Sequence, residues 1–262
     1  MIENFFEIIF LGIIEGLTEF FPISSTAHLI IFEEILVLNL SSSETFSIAI
    51  QLGAILAALF HFRSFFSPFR NPSFLLSSQS RKLFIAITPV LFVGFFCYDF
   101  IKSTLFNIHS VAYALLAGAV IMLVLEHVLK PKITLHNIKD MTYMQAFIIG
   151  LFQCFSLWPG MSRSGSCMIG ALAIGASYKV AAEFAFIIGV PVLSAAVLYD
   201  LLKVYSLLNA YDIYAIFIAS FVAFIVAYIA IVSFVSLLQR FKLTPFAIYR
   251  CILALLLLTF FA

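Results

Sequence analysis

The chain has 262 residues, 64% of them hydrophobic and only 10% charged, with a mean hydropathy of +1.16, which excludes a soluble globular domain and places it in the polytopic membrane class. A net charge of +1 and the lack of any long cationic run exclude nucleic acid as a partner. Four cysteines, Cys97, Cys154, Cys167 and Cys251, lack CxxC spacing and neighbouring histidines, which argues against metal and disulfide frameworks and leaves packing as their role.

The N-terminal MIENFFEIIF carries Glu3 and Glu7 where a cleaved leader carries positive charge, so it is expected to stay, with both acids among lipid headgroups. It opens an apolar region, roughly residues 4–38, that is interrupted midway. Within it, GIIEGLTEFFPISSTAHLI (Gly12 to Ile30) places Glu15, Glu19, Ser24, Ser25, Thr26 and His28 at bilayer depth. A charge there costs roughly 2.5–3.5 kcal/mol, which marks an intramembrane acid as a functional candidate. Glu15 and Glu19 are four apart, so a helix stacks both carboxylates on one face. Pro22 ends or kinks that helix, and the Ser24–Thr26 hydroxyls cap a new one. The region predicts two half-helices that enter and return on one side, the second offering its N-terminus to an anion.

Uninterrupted spans are predicted at roughly 45–62, 82–102 and 110–130, and again at roughly 179–202, 212–238 and 244–261. Between the two sets lies a second interrupted region, roughly 143–177, with PGMSRSG (Pro159 to Gly165) at its centre. Gly160 and Gly165 let backbone approach a ligand, and Ser162 and Ser164 can cap the following half-helix. Arg163 between them offers a planar fork that suits phosphate oxygens and keeps its charge. In the last span, Arg250 is positioned to snorkel inward.

Loop charge sets orientation. Arg63, Arg70, Arg81 and Lys82 fall in one connection, Lys130, Lys132 and Lys139 in another, and Arg240 and Lys242 in a third, so these face the cytoplasm. Glu33, Glu34, Glu44, Asp200 and Asp212 mark the opposite side, with Lys102 and Lys203 as the exceptions. Setting Gly12 to Pro22 beside Gly150 to Pro159 with a one-residue gap pairs Glu15 with Gln153, Thr18 with Ser156 and Phe20 with Trp158. Each half is then an interrupted pair plus three spans, and three is odd, so the second copy is expected upside down. The expected fold is all-α: six transmembrane helices and two re-entrant hairpins in one membrane domain over 1–262, an inverted-topology repeat with halves at about 4–130 and 143–261.

EGLTEFFPISSTAH and PGMSRSG resemble the two signature regions of the undecaprenyl-diphosphate phosphatase family, also called the bacitracin-resistance protein family. The likeness takes in IQLGAILA, AAEFAFIIGVP and TPFAIYR, and Ala27 stands where the family commonly has glycine. The resemblance implies a bacterial plasma-membrane hydrolase, open to the outer face, that removes the terminal phosphate of undecaprenyl diphosphate to recycle a cell-wall lipid carrier and confers bacitracin resistance. It implies functional roles for Glu15, Glu19, Ser25, His28 and Arg163, while Ser24, Thr26, Gln153, Gly160, Ser162, Ser164 and Gly165 are the expected substrate contacts. Glu15 and Glu19 either hold a divalent cation such as Mg²⁺ or act as base, and Ser25 or a water attacks. His28 serves as base or protonates the leaving group. The alternative is a transporter or flippase for a phosphorylated prenyl lipid, since paired broken helices suit one. Expected partners are the prenyl diphosphate lipid and the bilayer, with a homodimer left open.

Overall fold

A computed structural model describes residues 4–36, 40–70, 74, 75 and 77–260; expectations resting on Glu3, and on the side chains of Glu33, Glu34, Glu44 and Arg70, fall outside the described residues. The chain is an all-α membrane protein. Its helices are α1 (Phe5–Thr18), α2 (Ser25–Ile35), α3 (Ser43–His61), a short α4 (Arg63–Phe66), α5 (Ser78–Phe100), α6 (Ile108–Leu123), α7 (Tyr143–Gln153), α8 (Arg163–Ala173), α9 (Tyr178–Val204), α10 (Ala210–Phe241) and α11 (Thr244–Phe260). π-helical turns at Ile101–Leu105 and Val124–Leu129 lengthen α5 and α6.

Among the described residues, four helical stretches are long and apolar enough to cross a bilayer: Ser78–Leu105, Ile108–Leu129, Tyr178–Leu207 and Ala210–Phe241. The remaining two predicted spans coincide with α3 and α11, apolar helices of 19 and 17 residues, at the short end of the spanning range. Phe92, Phe96, Phe217 and Phe221 all stand exposed on the outside of the bundle, as a surface solvated by lipid requires.

Polar residues mark the helix starts. Ser42, Ser77, Asn107, Thr142, Ser177 and Asn209 each accept a first-turn N–H, and Thr142 with Gln145 and Asn209 with Asp212 complete capping boxes. Such caps occupy donors that an apolar helix cannot otherwise satisfy. Small residues bring the helices together: Ala215, Ala219, Ala223 and Ala227 form a fully buried stripe along α10, against which α1 and α3 pack. A Cβ on Gly12 would sit 2.6 Å from the Ala219 carbonyl, and one on Gly150 would sit 2.4 Å from the Ala86 carbonyl, so both contacts require glycine.

The packing is reciprocal. α1 lies on α10 and α7 lies on α5, while α3 meets α9 and α6 meets α11. Carried forward without the one-residue gap, the pairing of Gly12 with Gly150 sets Ser24 opposite Ser162. These two share a conformation, φ 70° with ψ 99° and φ 70° with ψ 116°, and each caps a helix of 11 residues. The register therefore departs from the gapped comparison, because both turns hold the same number of residues before the cap. Ser25 then stands opposite Arg163, each the first residue of its helix.

Candidate active site

Both turns arise where a first helix stops short and a serine starts the second. Ser24 Oγ accepts the Ala27 N–H at 3.3 Å and Ser162 Oγ accepts the Gly165 N–H at 3.2 Å. Their left-handed φ is strained for a residue with a side chain, a cost of order 1–3 kcal/mol that clusters at functional sites. The turns are held to each other by Ser164 Oγ, which donates to the Phe21 carbonyl at 3.0 Å.

Arg250 ties them down from α11. Fully buried, its guanidinium donates to the Pro22 carbonyl in the first turn, to Gly160 and Met161 in the second, and to Ala114 and Leu115 on α6, all between 2.9 and 3.2 Å. One rigid fork thus sets the spacing of both turns against a third helix. The neighbouring Tyr249 engages His28: its hydroxyl lies 2.6 Å from Nε2, and the two rings are near-parallel with centroids 5.6 Å apart. His28 Nδ1 is 2.7 Å from the Ser24 carbonyl. A carbonyl only accepts, so Nδ1 carries the proton there, and Nε2 pairs with the Tyr249 hydroxyl.

On the other side of the turns, three functional groups meet. Glu19, at the C-terminus of α1, accepts the Ser25 hydroxyl on Oε2 at 2.6 Å and the Arg163 guanidinium on Oε1 at 2.8 Å. Arg163 also donates from Nη1 to the Ala185 carbonyl at 2.9 Å, and its Nε is buried with no partner. Its guanidinium lies over Gly189 of α9, where an added Cβ would sit 2.3 Å from Nη1. A carboxylate from one turn thus bridges a hydroxyl of its own half-helix and the cation of the other half-helix, between two helix N-termini that favour negative charge.

These groups face a cavity of about 470 Å³ lined by Glu19, Ser24, Ser25, Thr26, Gly160, Ser162 and Arg163 at this end. It continues between α5 and α9 along Val90, Leu91, Phe95, Val192, Leu193 and Ala196, an apolar wall suited to a hydrocarbon chain.

The other expected residues are placed differently. Glu15 lies one turn behind Glu19, whose N–H bonds to the Glu15 carbonyl, and both Glu15 carboxylate oxygens are buried without a partner. His28 does not line the cavity; both of its ring nitrogens are engaged on the α11 side, because three residues into α2 the helix has rotated it there. Gln153 is fully buried and accepts the Cys167 thiol on Oε1. Ser164 bonds across to Phe21 as described. Gly165 gives room to Met122 and Pro22 rather than to a ligand. Arg250, expected to snorkel inward, does lie inside the bundle, while its bonds to both turns had no sequence signal beyond a cation within an apolar span.

A family model for "Bacitracin resistance protein BacA" matches residues 8–256. The chain is similar to "Undecaprenyl-diphosphatase" of Bacillus velezensis, 39% identical with 95% of each chain covered. It is also similar to "Undecaprenyl-diphosphatase 2" of Bacillus licheniformis, 42% identical over 97% of this chain and 96% of the relative. A relative from Maridesulfovibrio salexigens, likewise "Undecaprenyl-diphosphatase", is 40% identical over 96% of this chain and 97% of its own.

Proposed function

The chain belongs to the bacitracin resistance protein BacA family, and we propose that it performs the hydrolysis of undecaprenyl diphosphate to undecaprenyl phosphate and orthophosphate where Glu19, Ser25 and Arg163 meet. The observation that carries this placement is the Glu19 carboxylate, hydrogen-bonded at once to a hydroxyl and to a guanidinium.

Arg163 and the two half-helix N-termini hold the diphosphate and stabilise charge on the transferred phosphoryl oxygens. Glu19 takes the Ser25 proton as Oγ attacks the terminal phosphorus, the bond to the bridging oxygen breaks, and undecaprenyl phosphate leaves. Glu19 passes that proton to the departing phosphate oxygen. Water then attacks the phosphoserine and gives its proton to the freed Glu19 carboxylate. Glu19 returns it to Ser25 Oγ as the phosphoserine bond breaks, so that orthophosphate is released with the hydroxyl restored. The apolar corridor between α5 and α9 takes the prenyl chain. His28 and Tyr249 hold the Ser24 end of the turn instead of meeting the phosphate.

Glu15 is the residue that fits a cation. Its two oxygens are buried and unpaired, a turn from Glu19. Among the described residues no cluster of three acids, histidines or cysteines would enclose a metal, but Mg²⁺ uses few protein ligands. On the alternative in which the two acids bind metal instead of acting as base, Glu15 and Glu19 would hold it, and it would supply charge neutralisation to a phosphate reached through Glu19.

The same reading extends to the membrane. α3 and α11 join the four longer helices as spans, and α1–α2 and α7–α8 enter from opposite faces as an inverted repeat with halves at about 4–130 and 143–261, a layout supported by the reciprocal packing and the shared cap conformation. The basic loops lie in the cytoplasm, and the cavity opens on the outer side of the bacterial plasma membrane.

Two experiments test these assignments. Acid quench during turnover of undecaprenyl diphosphate labelled in its terminal phosphate is expected to trap label on Ser25; a Ser25→Ala enzyme that keeps most of its rate would remove the covalent step. Gly189→Ala is expected to lower kcat by about tenfold to a hundredfold by displacing the guanidinium, and to add little further loss once Arg163 is already replaced by glutamine.

A further inference from the structure

The far end of the cavity holds a second polar group that the reaction above does not use. Asp200 lies eleven residues beyond Gly189 on α9, roughly 16 Å along the helix at 1.5 Å per residue. It lines the same cavity as Glu19 and Arg163, together with Tyr98 and Lys102. Val90, Leu91 and Phe95 of α5 and Val192, Leu193 and Ala196 of α9 line that cavity with apolar side chains.

Asp200 is 1% exposed. Its Oδ1 accepts the Tyr98 hydroxyl at 2.7 Å and the Lys102 ammonium at 3.1 Å. Its Oδ2 is buried with no hydrogen-bond partner. Lys102 is carried on the π-helical turn that ends α5, a distortion that frequently marks a functional position, and its side chain is 31% exposed. A second cation stands beside them: Lys203 lies 4.0 Å from the Tyr98 ring centroid and 4.8 Å from that of Tyr199.

This arrangement specifies its ligand. An ionised carboxylate only accepts hydrogen bonds, so whatever completes Oδ2 must bring a donor. The Lys102 ammonium, paired with Oδ1, and Lys203 nearby make the surroundings favourable to an anion. Hydrogen phosphate is both, an oxyanion that keeps one P–OH at neutral pH, whereas sulfate has the same shape and charge but no proton to give.

We propose that Tyr98, Lys102 and Asp200 form a second phosphate site, at which Lys102 binds an oxyanion and Asp200 Oδ2 accepts the P–OH of a protonated phosphate group. This rests on the phosphatase reading of the other end of the cavity, whose product the site would receive on its way out. The Asp200 charge offsets that of Lys102, which keeps the site weak enough to let its ligand go. The terminal phosphate of an arriving lipid diphosphate presents the same chemistry.

Equilibrium dialysis of radiolabelled orthophosphate against the purified full chain tests this, in an Arg163→Gln background so that the reaction centre contributes no binding. Phosphate is expected to bind, and sulfate to compete at least about tenfold less well than unlabelled phosphate. Asp200→Asn should bring the two competitors within about twofold, and Lys102→Met should weaken phosphate about tenfold or more. Lys102→Met leaves the buried Asp200 without its cation, so retention of fold is read from thermal unfolding in detergent beside the binding. In the otherwise wild-type enzyme, a KM for the lipid unmoved by Lys102→Met assigns the site to leaving orthophosphate, and a raised KM assigns it to the arriving headgroup as well. Phosphate bound equally by the Arg163→Gln chain with and without the two substitutions, sulfate competing as well as phosphate, or no binding at all would overturn the proposal while leaving hydrolysis at Glu19 untouched. Binding that behaves as expected in a chain that hydrolyses no lipid diphosphate would keep this site and remove the phosphatase reading.

Discussion

Replacing Glu19 by glutamine is expected to slow orthophosphate release from undecaprenyl diphosphate by about 10²–10⁴-fold, the range associated with loss of a positioned general base. Glutamine keeps the side chain's shape, its carbonyl oxygen can still accept from Arg163 and its amide can donate to Ser25 Oγ, so the loss reports the carboxylate's charge and basicity. Alanine would be a poorer test: it leaves a mostly buried guanidinium without its anion, and breaking a buried pair in that way costs about 3–5 kcal/mol of stability. Retention of fold is read from thermal unfolding in detergent, and the rate from phosphate release. A Glu19→Gln enzyme within a few-fold of wild type would mean that some other group receives the Ser25 proton.

Arg250→Met is expected to be the most damaging substitution outside the reaction centre. It removes a charged donor from five carbonyls on three separate segments, and several of those lie in turns with no helical partner to replace it. Hydrogen bonds to charged groups contribute about 1.5–3 kcal/mol each and are not additive, so a loss of stability above about 3 kcal/mol is expected. Activity should fall with it, because the Pro22 and Gly160 carbonyls set the distance between Ser25 and Arg163. Arg250→Lys offers three donors from one point and should recover part of the stability but little of the rate. Unfolding of the purified variants in detergent measures the first effect and turnover per folded molecule the second. A variant with wild-type unfolding would show that the turns are held without α11.

What the sequence made legible was set by periodicity and by polarity out of place. Apolar length located the four longest spans to within a few residues, and the interruptions at Pro22 and PGMSRSG marked both turns. Glu19, Ser25 and Arg163 stood out because charge and hydroxyls at bilayer depth need a reason. Side-chain direction did not follow from spacing. Glu15 and Glu19 are one helical turn apart, yet only Glu19 lines the cavity, because α1 ends beside it and the chain turns away. His28 shares a segment with Ser25 but faces α11, and the residue that fixes it, Tyr249, is 221 positions away. Gly165 read as ligand space and serves packing of Met122 and Pro22. The gapped register failed for a similar reason: matching proline to proline ignored the caps, and Ser24 and Ser162 share one unusual backbone conformation. Long-range polar contacts such as the five from Arg250 have no local signature beyond an arginine in an apolar run.

The account depends on the first turn's acid and the second turn's guanidinium acting on one diphosphate as a unit. The measurement that tests this most directly is a double-mutant cycle of Glu19→Gln and Arg163→Gln on phosphate release by the purified full chain. Groups that work as a unit are non-additive, so the double variant should fall no more than about tenfold below the worse single variant. Losses that multiply, each substitution costing as much in the presence of the other as alone, would contradict it and place the two side chains in separate tasks.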